Sequence, residues 1–384
     1  MLPPGAMIDR RHTILQLLPR LDQGGAERVV VEIAEALNQA GHRALIAAEP
    51  GHLNGVAARA GAECFALPLA TKSPFRIWRN INRILDLALD EHVELIHAHS
   101  RAPAWSGYKA ARKLRVPFVT TYHGSYSENS PPKRRYNQVM VEGDRVVAVS
   151  HYIAALIHSR YGTRAEKIRV VHGGVDTRIF DPDMVRGDRS VRLARAWRAD
   201  AGQPAIMLPG RLTGWKGQKL FIQALAKMRH KDALGILVGS DQGRTAYTQS
   251  LITLAEQLGV ADRLRIAGPT DDMPAAFMLA DVVVNCSTNP EAFGRTIIEA
   301  QSMGRVVVAA DHGGARETII DGTTGLLVPP GNAAALADML DGVLDQDVTS
   351  RIAFGARARA HIQQNFSLRV MQDKMLEIYA ELLG

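Results

Sequence analysis

Cysteine is nearly absent: the 384 residues hold two, Cys64 and Cys286, in different halves of the chain. That excludes a disulfide scaffold and any four-cysteine zinc site, and it fits a reducing cytosol. No apolar run comes near the ~18 residues that a membrane-spanning helix needs. The opening Met1-Leu2-Pro3-Pro4-Gly5 has no charged segment followed by an apolar core, so no signal peptide is expected. The first ten residues read as a loose tail, with Met7 a second candidate start. Aromatic residues make up only 5%, which argues against stacking-based binding of single-stranded nucleic acid; no nucleic-acid partner is expected. The dinucleotide fingerprint G-x-G-x-x-G and the P-loop G-x-x-x-x-G-K-[ST] are both missing.

What is present is the composition of an ordinary soluble enzyme, 46% hydrophobic and 22% charged, which excludes disorder, collagen and coiled coil. The length suits two domains. Charge is unevenly spread. Residues 1–180 carry 24 Lys and Arg against 16 Asp and Glu, a net of +8, and residues 181–384 carry 22 against 23, a net of −1. A basic half beside a neutral one points to an anionic partner on the basic side.

Short β-rich runs alternate with helical patterns along the whole chain. The first half offers strands at Thr13–Leu18, Ala44–Ala48, Cys64–Leu67, Leu95–Ala98, Phe118–Tyr122, Arg145–Val149 and Ile168–Val171. Several are apolar throughout, as strands buried on both faces must be. Residues 173–203 are rich in Gly, Asp and Arg and read as a linker region. The alternation restarts at Ala205–Leu208 and runs to Gly325–Val328, and the tail reads as three helices. The expected fold class is therefore α/β: two Rossmann-like doubly wound domains facing across a cleft. The expected domains are 1–180, 181–365 and a final helix, 366–384, crossing back to the first. Ligands of such sheets bind in the loops after the strands.

Three of those loops carry chemistry. Gly24-Gly25-Ala26-Glu27-Arg28 opens the first helix, whose N-terminal N–H groups suit an anion. In Gly210-Arg211-Leu212-Thr213-Gly214-Trp215-Lys216-Gly217, two cations five residues apart can clamp a diphosphate without a metal. In the segment from Asn289 to Ala300, Glu291 lies in a loop and Glu299 inside the following helix, eight residues on. Both carboxylates can accept hydrogen bonds from paired hydroxyls, with the backbone N–H groups of Ala292-Phe293-Gly294 between them. Taken alone, Glu299 would more often be a salt-bridged helix residue.

Taken together, these motifs resemble the retaining glycosyltransferases of the GT-B fold, in the large bacterial group 1 family (family 4). The resemblance rests on Gly24–Arg28, on Val-His-Gly-Gly-Val-Asp at 171–176 and on Gly-Arg-x4-Lys-Gly at 210–217. It rests also on the E-x7-E pair Glu291 and Glu299 and on Gly-Gly-x-x-Glu at 313–317. It covers most of the chain. One departure is Gly173, where many relatives carry Asn.

The resemblance implies that Arg211 and Lys216 hold the diphosphate of a UDP- or GDP-sugar, with Gly24, Gly25 and their helix on the facing domain. It implies that Glu291, Ala292 and the amides of Phe293 and Gly294 meet the donor sugar, that Glu299 takes the ribose diol, and that Gly268 and Pro269 lie by the base. His123, at the end of a first-half strand, is where the family has a histidine near the donor; a plain strand-end cap is the rival reading. His99 and Arg101 are expected to line the acceptor side, with a strand-end histidine of no ligand role the rival reading for His99. The catalytic set is thus His123, Arg211, Lys216 and Glu291.

No cofactor and no metal are expected. Asp181-Pro182-Asp183 imitates a metal-binding D-x-D, but a turn suits it better. The expected reaction moves a hexose-type sugar to a hydroxyl of a lipopolysaccharide core, capsule or similar glycan or glycolipid. Arg76, Arg79 and Arg83 share one helix face beside Phe75 and Trp78, so reversible contact with an anionic membrane surface is expected. The expected location is the cytoplasm, peripheral at the inner face of the membrane. A nucleotide-sugar 2-epimerase and a non-catalytic nucleotide-sugar binding protein share the fold and stay open as alternatives.

Overall fold

In a computed structural model, described for residues 10–22, 24–199 and 202–384, the chain forms two compact α/β units. Residues up to Gly173, joined by Arg369–Gly384, make the first, and Gly174–Leu368 the second. The loose tail expected at the N-terminus lies, but for Arg10, outside the described residues.

The first unit carries β1 (Thr13–Arg20), β2 (Arg43–Glu49), β3 (Glu63–Ala66), β4 (Leu95–Ala98), β5 (Phe118–Tyr122), β6 (Arg145–Ala148) and β7 (Ile168–Val170). Their order is 3-2-1-4-5-6-7, with every pairing parallel. The second unit carries β8 (Ala205–Pro209), β9 (Leu234–Val238), β10 (Leu264–Gly268), β11 (Val282–Asn285), β12 (Val306–Ala310) and β13 (Leu326–Val328), in the order 10-9-8-11-12-13, again all parallel. The central strands are buried along their length, Val282 through Asn285 and Val306 through Ala310 among them. That is why their sequences show apolar runs and no alternation. These are the two Rossmann-like sheets that the strand–helix alternation predicts. In each, the winding direction reverses between the first and fourth strands of the unit: β1 and β4, then β8 and β11. The loops after those strands flank the crevice where doubly wound sheets take ligands.

The linker reading of residues 173–203 needs correction. A helix, Gly187–Trp197, occupies much of that segment and belongs to the second unit. It is tied there by Arg189, whose Nε and Nη2 reach the two Asp272 oxygens at 2.8 and 2.6 Å. Only Trp197 of this helix is buried, so there is almost no apolar stripe to betray it. The tail does hold three helices: Ala333–Leu344, Val348–Asn365 and Leu368–Leu383. From Arg369 on, the last packs into the first unit. It buries Met371, Met375, Ile378 and Tyr379. Gln372 Nε2 donates to the Glu32 carbonyl at 2.8 Å, and Glu381 accepts from Arg169 at 2.8 Å and from Arg145.

Candidate active site

In the second unit, the loops after β8 and β11 meet at the switch point. The chain leaves β8 through Gly210 and returns through a single 3₁₀ turn, Gly214–Lys216, that ends on Gly217. Gly217 has φ +80°, and a Cβ there would stand 2.0 Å from the Cys286 carbonyl oxygen. Only glycine lets this loop lie so close on the end of β11. The contact is sealed by the Thr288 N–H, which donates to the Trp215 carbonyl at 2.7 Å.

This approach brings Lys216 to Glu291. Lys216 Nζ lies 2.7 Å from Glu291 Oε1, with the two side chains 13% and 12% exposed. The ammonium also sits 4.6 Å from the Trp215 ring centroid. Ser287 Oγ donates to the same carboxylate oxygen, and Asn285 adds a further side-chain hydrogen bond. Burial works against the charge on Glu291; the Lys216 ammonium and these hydrogen bonds outweigh it and hold the carboxyl below its usual range. The site residue thus stays an anion at neutral pH.

The Glu291 loop is pressed from the other side by Gly313 and Gly314. The Gly314 N–H donates to the Glu291 carbonyl at 2.9 Å, and a Cβ on Gly314 would lie 2.5 Å from the Phe293 Cα. Phe293 is buried, its ring 6.0 Å from Phe366. Gly294, at φ +91°, caps the helix Arg295–Ser302. Glu299 is the fifth residue of that helix; Arg295, one turn before it, lies 3.8 Å away. Gly268 closes β10, and its carbonyl accepts from the Gly239 N–H at 2.8 Å. Pro269 beside it is exposed, as is Arg211. The structure therefore gathers Lys216 and Glu291 into one contact, with Ala292, Phe293 and Gly294 continuous with it.

Asn285, Ser287 and Trp215 escaped the sequence reading. Asn285 and Ser287 stand two apart at the end of a strand, so the period-two rule could have put them on one side. Asp181 and Asp183 form a turn: the Asp181 side chain accepts from the Asp183 N–H at 3.0 Å, and Arg359 reaches Asp181 at 2.6 Å and Asp183 at 3.2 Å.

The first unit contributes a histidine cluster after β4 and β5. His99 is 2% exposed, and both ring nitrogens have partners within the unit: Nδ1 lies 3.1 Å from His123 Nε2 and Nε2 lies 3.1 Å from Gln16 Oε1. His99, expected on the acceptor side, is thus buried beside His123 with both ring nitrogens occupied. His97 is fully buried, 2.7 Å from both the Tyr379 hydroxyl and Thr121 Oγ1. Burial and the neighbouring rings push both histidines well below their usual pKa, so both are neutral. Arg101 donates to Asn137 Oδ1 at 3.0 Å and lies 4.2 Å over the Tyr126 ring. Gly24 is the N-cap of the helix Gly25–Gln39, and both glycines are exposed.

The comparisons with known proteins agree in both halves. Residues 23–179 match the family described as Glycosyltransferase Family 4, and residues 192–361 match Glycosyl transferases group 1. A D-inositol 3-phosphate glycosyltransferase of Xylanimonas cellulosilytica is 32% identical over 305 residues, 75% of this chain and 72% of that protein. A glycosyltransferase crystal structure from Rickettsia africae is 34% identical, with a TM-score of 0.90 over 97% of this chain and 99% of that one. The Anabaena protein HepE, crystallised in complex with UDP-glucose, is 26% identical, with a TM-score of 0.83 over 96% and 100%.

Proposed function

The chain belongs to the group 1 glycosyltransferases of the GT-B fold, and within that family we propose that it moves a hexose-type sugar from a UDP- or GDP-linked donor to a glycan or glycolipid hydroxyl. The observation that carries this reading is the 2.7 Å contact of Lys216 with Glu291. A ligand that engages both must bring an anion next to a hydroxyl-bearing group, as a sugar diphosphate does. Arg211 and Lys216 then hold the diphosphate. Glu291 and the amides of Phe293 and Gly294 take the sugar hydroxyls, Glu299 the ribose diol, and Gly268 and Pro269 lie by the base. The UDP-glucose complex of HepE supports a donor of that kind.

Glu291 and Glu299 both serve hydroxyls in this scheme, so neither is left to act as a covalent nucleophile. The bond from the anomeric carbon to the phosphate oxygen breaks with its electron pair on the phosphate. The acceptor oxygen attacks from the same face, its proton passes to the departing phosphate, and configuration is retained. Arg211 and Lys216 stabilise the developing phosphate charge. A donor-consumption assay run over UDP-, GDP- and ADP-sugars, after a thermal-shift screen for binding, tests the reading. Donor isomerised without an acceptor would instead mark a 2-epimerase; binding without any turnover would mark a binding protein.

Because two cations serve the diphosphate, turnover is expected to survive excess EDTA. Activity lost to the chelator and restored by Mg²⁺ or Mn²⁺ would overturn that expectation.

The acceptor side is read from the first unit's charge. An envelope glycolipid on the cytoplasmic face suits the +8 of residues 1–180. A phosphorylated polyol is the second reading, favoured by the name of the Xylanimonas relative. No described helix is long and apolar enough to cross a membrane. The helix Pro74–Asp90 nevertheless leaves Phe75 and Trp78 65% and 59% exposed beside Arg76, Arg79 and Arg83. Basic residues at an anionic surface contribute about 1 kcal/mol each and are screened by salt. The protein is expected to sediment with anionic vesicles at low salt and to be released at high salt. Replacing the three arginines with Gln should weaken sedimentation and leave donor turnover intact. Binding that is absent at low salt, or unchanged in the triple variant, would favour the soluble phosphorylated acceptor.

A further inference from the structure

We propose that Gln16 and His99 are positioning residues that hold His123 in the tautomer protonated on Nε2, so that the rest of its chemistry is at Nδ1. The inference starts at a backbone carbonyl. Gln16 is fully buried on β1, and its Nε2 donates to the Val30 carbonyl at 3.0 Å. A carbonyl only accepts, so the amide nitrogen must face it. The other end of the amide, Oε1, therefore faces His99 Nε2 at 3.1 Å. Oε1 also only accepts, so His99 Nε2 carries a proton.

His99 is neutral: it is buried, and its ring centroid lies 3.9 Å from that of His97, so a second proton would place charge in an apolar interior against another imidazole. With its one proton on Nε2, Nδ1 is a bare acceptor. The atom facing it at 3.1 Å is His123 Nε2, which must be the donor. The polarity thus runs one way, from His123 through His99 to Gln16, and is set by the Val30 carbonyl. His97 offers a contrast. Its two partners are the hydroxyls of Tyr379 and Thr121, which can donate or accept, so these contacts do not by themselves fix its tautomer.

A histidine held this way cannot spend its Nε2–H on a ligand. In a neutral ring so held, Nδ1 can only accept, and a hydroxyl, unlike an ionised phosphate oxygen, can donate to it. This consequence for turnover rests on the glycosyl-transfer reading; the tautomer itself does not.

Spectra of protein labelled with ¹⁵N in its histidine rings, recorded on the full chain near pH 8, test the assignment. Wild type should show His123 and His99 each protonated at Nε2 and bare at Nδ1. His99→Leu removes the acceptor and should leave His123 as a mixture of tautomers. His99→Asn, whose carboxamide oxygen can stand near the former Nδ1, should restore the Nε2–H form. In donor turnover, His99→Leu should lower kcat by about tenfold or more with KM within about twofold, and His99→Asn should recover most of it; loss of tautomer control in a catalytic triad costs up to ~10⁴. Wild-type His123 found neutral and protonated at Nδ1, or unchanged in His99→Leu, would overturn the proposal. Should His99→Leu fail to fold, the wild-type and His99→Asn spectra still decide it. The expected tautomers in a protein that transfers no sugar would uphold this inference and sink the glycosyl-transfer reading instead.

Discussion

Lys216→Ala is expected to lower kcat/KM for sugar transfer by about 10²–10³, equivalent to about 2–4 kcal/mol of transition-state stabilisation. The ammonium is held by three features at once: the close loop at Gly217, the Trp215 ring and the Glu291 carboxylate. A preorganised donor of this kind stabilises charge as it develops on the leaving phosphate without reorganising at that moment. Its loss also strands Glu291. In the intact protein burial is outweighed by Lys216, so the carboxyl sits below its usual pKa. That contribution to stability is present above the usual carboxylate range and fades only as pH falls through the lowered value. Without Lys216, burial prevails and the pKa should rise above the usual range; Glu291 then ceases to contribute to the acid limb and instead costs stability as pH rises through the carboxylate range. Steady-state kinetics, with melting curves recorded from pH 4 to pH 8, check both statements. Near-normal turnover in a folded Lys216→Ala protein would mean that the diphosphate is not held there.

The two carboxylates should part company when each is replaced. Glu299→Ala is expected to weaken binding of the free nucleotide by about 1.5–3 kcal/mol, the usual worth of hydrogen bonds to a charged group. Glu291→Ala should keep nucleotide affinity and lose about 10²-fold in rate with the intact donor, as a transition-state contact would. The structure supplies a rival for Glu299, since Arg295 lies 3.8 Å away at the i, i+4 spacing of a helix salt bridge. Such a pair is worth only about 0.3–0.5 kcal/mol, so losing it cannot imitate the larger calorimetric change. Glu291 also differs in being a partner of Lys216; removing it frees the ammonium for phosphate, so nucleotide binding should hold or tighten. Calorimetry with UDP and GDP on both variants decides the matter: equal losses would show that the two roles are not separate.

Some of this was legible in the residues. Apolar runs such as Val282–Asn285 had to be strands buried on both faces, and their alternation with helices fixed two parallel sheets. The glycine-punctuated loop at 210–217 and the pair Glu291 and Glu299 were visible because their chemistry is local: the residues lie close in sequence. The helix Gly187–Trp197 was not visible, because its stabilising contacts are polar and come from Asp272 and Ala275, far along the chain. Periodicity detects an apolar stripe, and here only Trp197 is buried.

The roles of the histidines show the same divide. Side chains two apart on a strand share a face, and that spacing is enough to put His97 and His99 together at the end of β4. It could not say that Gln16, on a strand 83 residues earlier, stops the ring of His99, or that Tyr379 from the last helix reaches His97. Likewise the sequence supplied Lys216 and Glu291, 75 residues apart, as two separate binding groups; their ion pair exists only because β8 and β11 are neighbours at the switch point. Residue type and spacing determined which chemistry was available, because donors, acceptors and charges are properties of single side chains. Which groups neutralise, orient or shield one another was decided by tertiary structure, because burial and hydrogen-bond partnership depend on strand order, and strand order is not local in the chain.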